Sequence, residues 1–374
     1  MLGAFLETLI GGLLTGVLYS LVALGFVLIF KASGVFNFAQ GAMVLFAALT
    51  VARLAGEIDN KEVYLAQFVA AAAVLGVALT LIAWYAWREY VARGGGPNER
   101  RKLQLLAAVG ALAGGIAAFS YGKGAWPIWL AIAATAAVMG LLAYAIERLV
   151  LRHLVNQEGI ILFMATLGIA YFLEGFGQTV WGSDVYKIDI GLPKEPIFLF
   201  ESVFDGGLLV DSGELVSAVV AIVLVVALAI FFQKTRVGRA LRAVADDHAA
   251  AQSVGIPLNT IWLIVWTVSG LVALAAGLIW GAKLGVQFSI SLIALKALPV
   301  LILGGFTSVP GAIVGGLIIG AGEKLSEVFL APILVKAFDL AGGGIENWFA
   351  YMLALVFLLF RPQGLFGERI IERV

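Results

Sequence analysis

Asp246 and Asp247 stand side by side in a basic, alanine-rich segment, and a carboxylate pair invites a reading as general acid and base. Neighbours on a helix point about 100° apart, so these two cannot face one reacting atom together. His153 and His248 are far apart in the chain, which argues against a histidine metal site. There is no cysteine, so no thiolate ligand, cysteine nucleophile or disulfide is available. No Gly-x-x-x-x-Gly-Lys-Ser/Thr phosphate loop occurs, so the chain does not hold ATP in that way itself. The chemistry left is recognition and passage, not bond breaking.

Asn37, Phe38, Gln40, Gly41, Gln287, Phe288, Ser289, Ser291 and Lys296 sit in or beside long apolar runs. An unsatisfied polar group in hydrocarbon costs several kcal/mol, and a charge at mid-membrane costs more still. These residues must face protein or a water-filled path. Two readings stay open for Asn37 and Gln40: they line a conduit for a zwitterion or an amide, or they bond neighbouring helices together. With Phe36, Phe38, Gln287 and Phe288 they have the makings of a pocket for an apolar side chain or an amide. Lys296 is expected to pair with a carboxylate such as Glu323 and lock helices. Glu147, Glu174 and Glu323 lie near run ends and are expected at the interface, away from the path.

The elements that must position these residues follow from composition. Of 374 residues, 62% are hydrophobic and 13% charged, with net charge zero and mean hydropathy +1.03. Soluble domains have roughly 45–50% apolar and about 25% charged residues. A soluble enzyme, a disordered chain and a nucleic-acid binder are excluded, and most of the chain is solvated by lipid. A spanning helix needs about 20 mostly apolar residues. Candidate runs are 9–30, 34–51, 63–87, 103–121, 126–146, 160–180, 215–232, 261–282, 289–303, 310–319 and 348–360. The first is too long for a signal-peptide core and reads as a retained helix. Runs 34–51 and 289–303 carry polar residues and read as broken or re-entrant. The expectation is an all-α polytopic membrane protein with about 9–11 membrane helices, in a single domain over residues 1–374.

Basic residues set the orientation. Arg88, Arg93, Arg100, Arg101 and Lys102 follow the third run; Arg148 and Arg152 the fifth; Lys234, Arg236, Arg239 and Arg242 the seventh. Arg361, Arg369 and Arg373 lie in the tail. All face the cytoplasm if the amino terminus is outside and the carboxyl terminus inside. Segment 181–214 then lies outside, rich in carboxylates (Asp184, Asp189, Glu195, Glu201, Asp205, Asp211, Glu214).

Leu21-Val-Ala-Leu-Gly-Phe-Val-Leu-Ile-Phe recurs as Leu271-Val-Ala-Leu-Ala-Ala-Gly-Leu-Ile-Trp. Each is followed by a Gly-Val pair with polar and aromatic residues: Gly34-Val-Phe-Asn-Phe-Ala-Gln and Gly285-Val-Gln-Phe-Ser-Ile-Ser. The copies run in opposite directions, as in transporters that place a substrate path at a pseudo-twofold axis. Glycine pairs at Gly12/Gly16, Gly110/Gly114, Gly311/Gly315 and Gly316/Gly320 read as close helix packing.

Segment 233–258 predicts a short surface helix, 247–254, with Asp246 and Asp247 at its start, Gly255 at its end and Pro257 beyond. Here the residues carry a resemblance. Gly238-Arg-Ala-Leu-Arg-Ala-Val-Ala-Asp-Asp, Ala249-Ala-Ala and Gly255-Ile256-Pro257 are similar to the coupling loop of ABC-importer membrane subunits. The run resembles the branched-chain amino-acid permease family, whose relatives include urea and short-amide permeases. Val35-Phe-Asn-Phe-Ala-Gln-Gly41, Leu303-Gly-Gly-Phe-Thr-Ser-Val-Pro-Gly-Ala-Ile-Val-Gly-Gly316 and Phe360-Arg-Pro-Gln-Gly-Leu-Phe366 agree with it. The match is to the shorter of the two permease types that pair in such transporters.

The resemblance implies an inverted-repeat permease in the bacterial inner membrane. It implies no cofactor on this chain, ATP in partner subunits, and no enzyme activity of its own. Its implied partners are a second permease subunit (a heterodimer is favoured), two cytoplasmic ATPases and a periplasmic solute-binding protein. The implied ATPase-coupling residues are Gly238, Arg239, Arg242, Asp246, Asp247, Ala250, Gly255 and Ile256. The family's Glu at the start of this motif is replaced here by Asp246-Asp247. Residues 88–121, with Arg-Gly-Gly-Gly-Pro-Asn-Glu-Arg-Arg, read as an insertion. The competing expectation is a gradient-driven transporter or channel, which would ordinarily need a carboxylate within a span.

Overall fold

The computed structural model describes residues 2–55, 126–154, 157–204, 207–246, 248–339 and 343–367. Runs 63–87 and 103–121, the expected insertion 88–121, and Asp247 lie outside the described residues.

The helices are α1 (Leu2–Ser33), α2 (Gln40–Leu54), α3 (Ile128–Ala145), α4 (Gly159–Trp181), α5 (Ser212–Lys234), α6 (Arg236–Asp246), α7 (His248–Ser253), α8 (Leu258–Leu284), α9 (Ile293–Lys296), α10 (Leu298–Gly304), α11 (Val309–Leu325), α12 (Ala331–Phe338) and α13 (Ile345–Phe360). Short strands β1 (Pro196–Leu199) and β2 (Leu208–Asp211) form an antiparallel hairpin between α4 and α5. Among the described residues five helices are long and apolar enough to cross a membrane; α2 and α13 are shorter. The expected break in run 289–303 is present, as a single 3-10 turn, α9 and α10 in succession; the segment Phe288–Gly304 also bends by 114° against Val309–Phe338.

Helix ends follow local chemistry. Asp211 accepts a hydrogen bond from the Glu214 N–H at 2.8 Å and starts α5. Ser308 accepts from the Gly311 N–H at 3.0 Å and starts α11, with Pro310 in its first turn. Gly34 and Gly285, the paired glycines of the repeat, adopt φ of +68° and +78° after α1 and α8. Only glycine takes such angles freely, so each copy ends its long helix in the same way.

α1 and α8 form the buried centre and run antiparallel. Three contacts set the register: Trp262 Nε1 donates to the Ala32 carbonyl at 3.2 Å, Ser269 Oγ lies 3.2 Å from the Gly25 carbonyl oxygen, and Tyr19 stacks on Trp280 at 5.7 Å. On its other side α1 packs against α11 along glycines. A Cβ at Gly16 would fall 2.5 Å from the Gly316 carbonyl oxygen, and one at Gly320 would fall 2.4 Å from that of Gly12. The pairs Gly12/Gly16 and Gly316/Gly320 therefore face each other, and backbone touches backbone.

The hairpin was not anticipated in segment 181–214. Leu208 and Val210 are buried while Leu209 and Asp211 are exposed, a period of two over very few residues. The hairpin lies beside the start of α1, where the Leu209 N–H donates to Glu7. Upstream of it, Tyr186 and Val286 form an isolated antiparallel bridge. The start of α1, residues 182–204 and 207–211, and the end of α8 thus share one end of the bundle. The end of α1, the start of α8 and residues 361–367 share the other, where the Leu365 N–H bonds the Leu303 carbonyl.

Candidate functional site

The two repeat segments meet. From the end of α1, residues 34–39 turn back and α2 begins inside the bundle. From the end of α8, residues 285–292 turn back from the opposite end. They touch at Gly41, where a Cβ would lie 2.1 Å from the Ser291 carbonyl oxygen. Glycine is required there by contact alone, because the backbones leave no room for a side chain.

Beside this contact lies a cavity of about 180 Å³. Its lining combines Phe26, Phe36, Phe38, Gly41 and Ala42 with Leu167, Ala170, Tyr171 and Glu174 of α4, and Ser291, Leu292, Ala294, Leu295 and Leu298. Its aromatic floor is continuous: Phe26 stacks on Phe36 at 4.8 Å, and Phe36 meets Phe38 edge-on at 4.7 Å. Phe38 in turn meets Phe163 at 4.7 Å. Thr166 fixes the loop by donating to the Phe36 carbonyl at 3.2 Å and accepting from the Phe38 N–H at 3.3 Å.

The expected path residues divide into groups. Phe38, Gly41 and Ser291 line the cavity. Asn37 and Gln40 do not; both are 0% exposed. Asn37 donates to Gln40 Oε1 at 3.2 Å, Ser269 Oγ donates to the same oxygen at 2.7 Å, and Gln40 Nε2 donates to the Ser269 carbonyl at 3.4 Å. This network joins α1, α2 and α8, so of the two open readings the helix-bonding one describes them. Gln287, Phe288 and Ser289 are outside the lining. Lys296 reaches Glu323 at 2.8 Å, as expected.

Glu174 corrects the expectation that the run-end carboxylates lie away from the path, because it lines the cavity. Glu323 and Glu147 are outside the lining and are buried, 6% and 4% exposed. Leu167, Ala170, Tyr171 and Glu174 follow helical spacing and share one face of α4. That spacing was visible in the sequence; what hid it was the nearness of Glu174 to the run's end.

At the other end of the bundle α7 stands where the surface helix 247–254 is expected, and α6 before it is an additional helix that was not anticipated. α6 buries Leu241 and Val244 and packs on α1, α5 and α8. A Cβ at Gly238 would fall 1.9 Å from the Phe232 carbonyl oxygen, and Arg242 donates to that oxygen at 2.7 Å. Arg239 donates to the Lys234 carbonyl at 3.3 Å. Gly238, Arg239 and Arg242 thus close the carboxyl end of α5, where orphan carbonyls and the helix dipole favour cations. α7 ends in a Schellman motif: the Ile256 N–H bonds the Ala251 carbonyl at 3.0 Å, the Gly255 N–H bonds that of Gln252 at 3.0 Å, and Gly255 has φ +84°. Ala250, Gln252, Ser253 and Val254 are left exposed, Val254 at 76%.

A family model described as the permease component of the branched-chain amino acid transport system matches residues 8–94 and 103–361. The chain belongs to this family. Among its relatives are the high-affinity branched-chain amino acid transport system permease proteins LivH of Salmonella typhimurium and BraD of Pseudomonas aeruginosa. They are 25% and 26% identical over 99% of this chain and 98% of their own length. The probable branched-chain amino acid transport permease protein LivH of Methanocaldococcus jannaschii is 32% identical over 62% of this chain and 71% of its own. The apolar helices and these relatives agree on a multi-pass membrane permease of the ABC type. Residues 95–102, unmatched by the family model, fall inside the expected insertion.

Proposed function

We propose that this chain is one of two permease subunits of an ATP-driven importer for branched-chain amino acids. Two ATPases dock on the α6–α7 surface on the cytoplasmic side. A solute-binding protein delivers its load at the end formed by the amino terminus and segment 182–211. The amino terminus is outside and the carboxyl terminus inside, and the second permease is a different chain of the same type. The membrane is the bacterial inner membrane.

The observation that carries this is the meeting of Gly41 with Ser291 beside the aromatic cavity. Two segments turning back from opposite ends of the bundle, touching where polar backbone and apolar rings adjoin, are what a path at a pseudo-twofold axis needs. Irregular backbone at that depth is tolerated where it is buried in protein or lines a cavity. Exposed α7, braced by α6, supports the docking role, and the net positive charge of 233–242 supports its cytoplasmic side.

The test is reconstitution of both permeases, the ATPases and the binding protein in liposomes, with labelled L-leucine outside and ATP inside. Uptake that needs ATP, the ATPases and the loaded binding protein is the expected result. Uptake by this chain alone, driven by membrane potential without ATP, would overturn the reading. Uptake of urea in place of leucine would move the assignment to the amide-carrying relatives.

A further inference from the structure

Glu174 is the acidic member of the cavity lining, and among the described residues no basic side chain lines the cavity with it. It is half-buried on α4 and has no ion-pair or hydrogen-bond partner among the described residues. A carboxylate in an apolar membrane setting is costly, and such residues are found paired or facing a path. The groups around Glu174 are of two kinds. Phe26, Phe36 and Phe38 present π-systems that attract a cation. Leu167, Leu292, Leu295 and Leu298 present hydrocarbon. A solute that complements both has a compact ammonium group next to an apolar side chain.

The geometry points to Glu174 as the residue that recognises the solute's ammonium group, so that the permease itself selects apolar α-amino acids over neutral amides. This rests on the transport reading above and adds to it a residue and a source of selectivity within the membrane. A neutral amide or urea leaves the carboxylate unpaired, and an unpaired, half-buried charge in an apolar setting disfavours the complex. A carboxylic acid without the amine is repelled outright. Selection is then applied twice, once by the binding protein and again where Glu174 meets the solute.

The experiment uses the full reconstituted complex with L-leucine, isopentylamine and 4-methylpentanoate as probes; the last two lack the carboxylate and the ammonium of leucine respectively. A charge-assisted hydrogen bond is worth enough to change half-saturation roughly tenfold or more. Glu174→Gln is expected to raise the leucine half-saturation by about that factor. Inhibition by isopentylamine should weaken in parallel, and inhibition by 4-methylpentanoate should not. Glu174→Asp should keep part of the leucine affinity. Subunit co-purification should be unchanged. Leucine uptake by Glu174→Gln equal to wild type overturns the inference. So does an equal loss for all probes accompanied by loss of the second permease on purification, which would make Glu174 an interface residue. A wild-type complex that imports no amino acid fails the transport reading instead, whatever Glu174 does.

Discussion

Lys296 Nζ lies 2.8 Å from Glu323 Oε1, and the Tyr19 hydroxyl donates to the same carboxylate oxygen at 3.1 Å. The pair joins α9, which follows the re-entrant turn after α8, to α11, which packs along α1. Tyr19 brings α1 itself into the contact and stacks on Trp280 of α8. One carboxylate thus ties together the elements that carry both copies of the repeat.

Removing the exposed partner of this pair should cost more than removing the buried one. Glu323 is buried, whereas the Lys296 side chain is 39% exposed and keeps part of its hydration. Lys296→Met strands the buried Glu323 carboxylate without its cation and should destabilise by about 3–5 kcal/mol. Glu323→Ala leaves the Tyr19 hydroxyl without its acceptor but lets the partly exposed ammonium rehydrate, and should cost about 1–3 kcal/mol. Thermal unfolding in detergent, followed by tryptophan fluorescence, gives the order; a larger effect for Glu323→Ala would contradict it.

The α1–α11 seam predicts a sharp positional contrast. Gly16→Ala drives a methyl into the Gly316 carbonyl, and separating the helices to relieve it costs about 1–3 kcal/mol or more. Gly11→Ala meets nothing within 4 Å and should be neutral or slightly stabilising. Size-exclusion profiles of the two variants compare them directly, and equal monodispersity would show that the seam is not tight.

Ser269→Ala removes a donor from a fully buried amide network without touching the cavity. The expected result is a loss of about 1–3 kcal/mol in stability, with the preference among solutes unchanged. A shifted solute preference with unchanged melting would return Gln40 and Asn37 to the path.

Gly255→Val places a β-branched residue at φ +84°, which breaks the end of α7 while α6 and the membrane helices keep their packing. The variant should fold, reach the membrane and bind the second permease, but recover less than about a tenth of the wild-type solute-stimulated ATPase activity. Full stimulation would remove α7 from the docking surface.

Segments with strong periodicity or clear stop signals were legible from residue types. The end of α7 at Gly255, the paired turns at Gly34 and Gly285, and the glycine seam all follow from local rules. Lys296 found Glu323 because an intramembrane cation has few acceptable neighbours. The cavity was only partly legible. Phe38, Gly41 and Ser291 stood in the right segments, but Asn37 and Gln40 satisfy one another and Ser269, and a sequence does not reveal which side of a helix a neighbouring amide takes. Glu174 was misplaced because depth along a helix was judged from the nearest polar boundary. The cavity takes α4 seven residues before its end at Trp181, and that depends on how α2 and α4 cross.

The bridge between Tyr186 and Val286 has a mechanical consequence. Two backbone hydrogen bonds tie the segment after α4 to the turn that leads to Ser291. A displacement of residue 186 is therefore passed to that turn, five residues before the contact with Gly41.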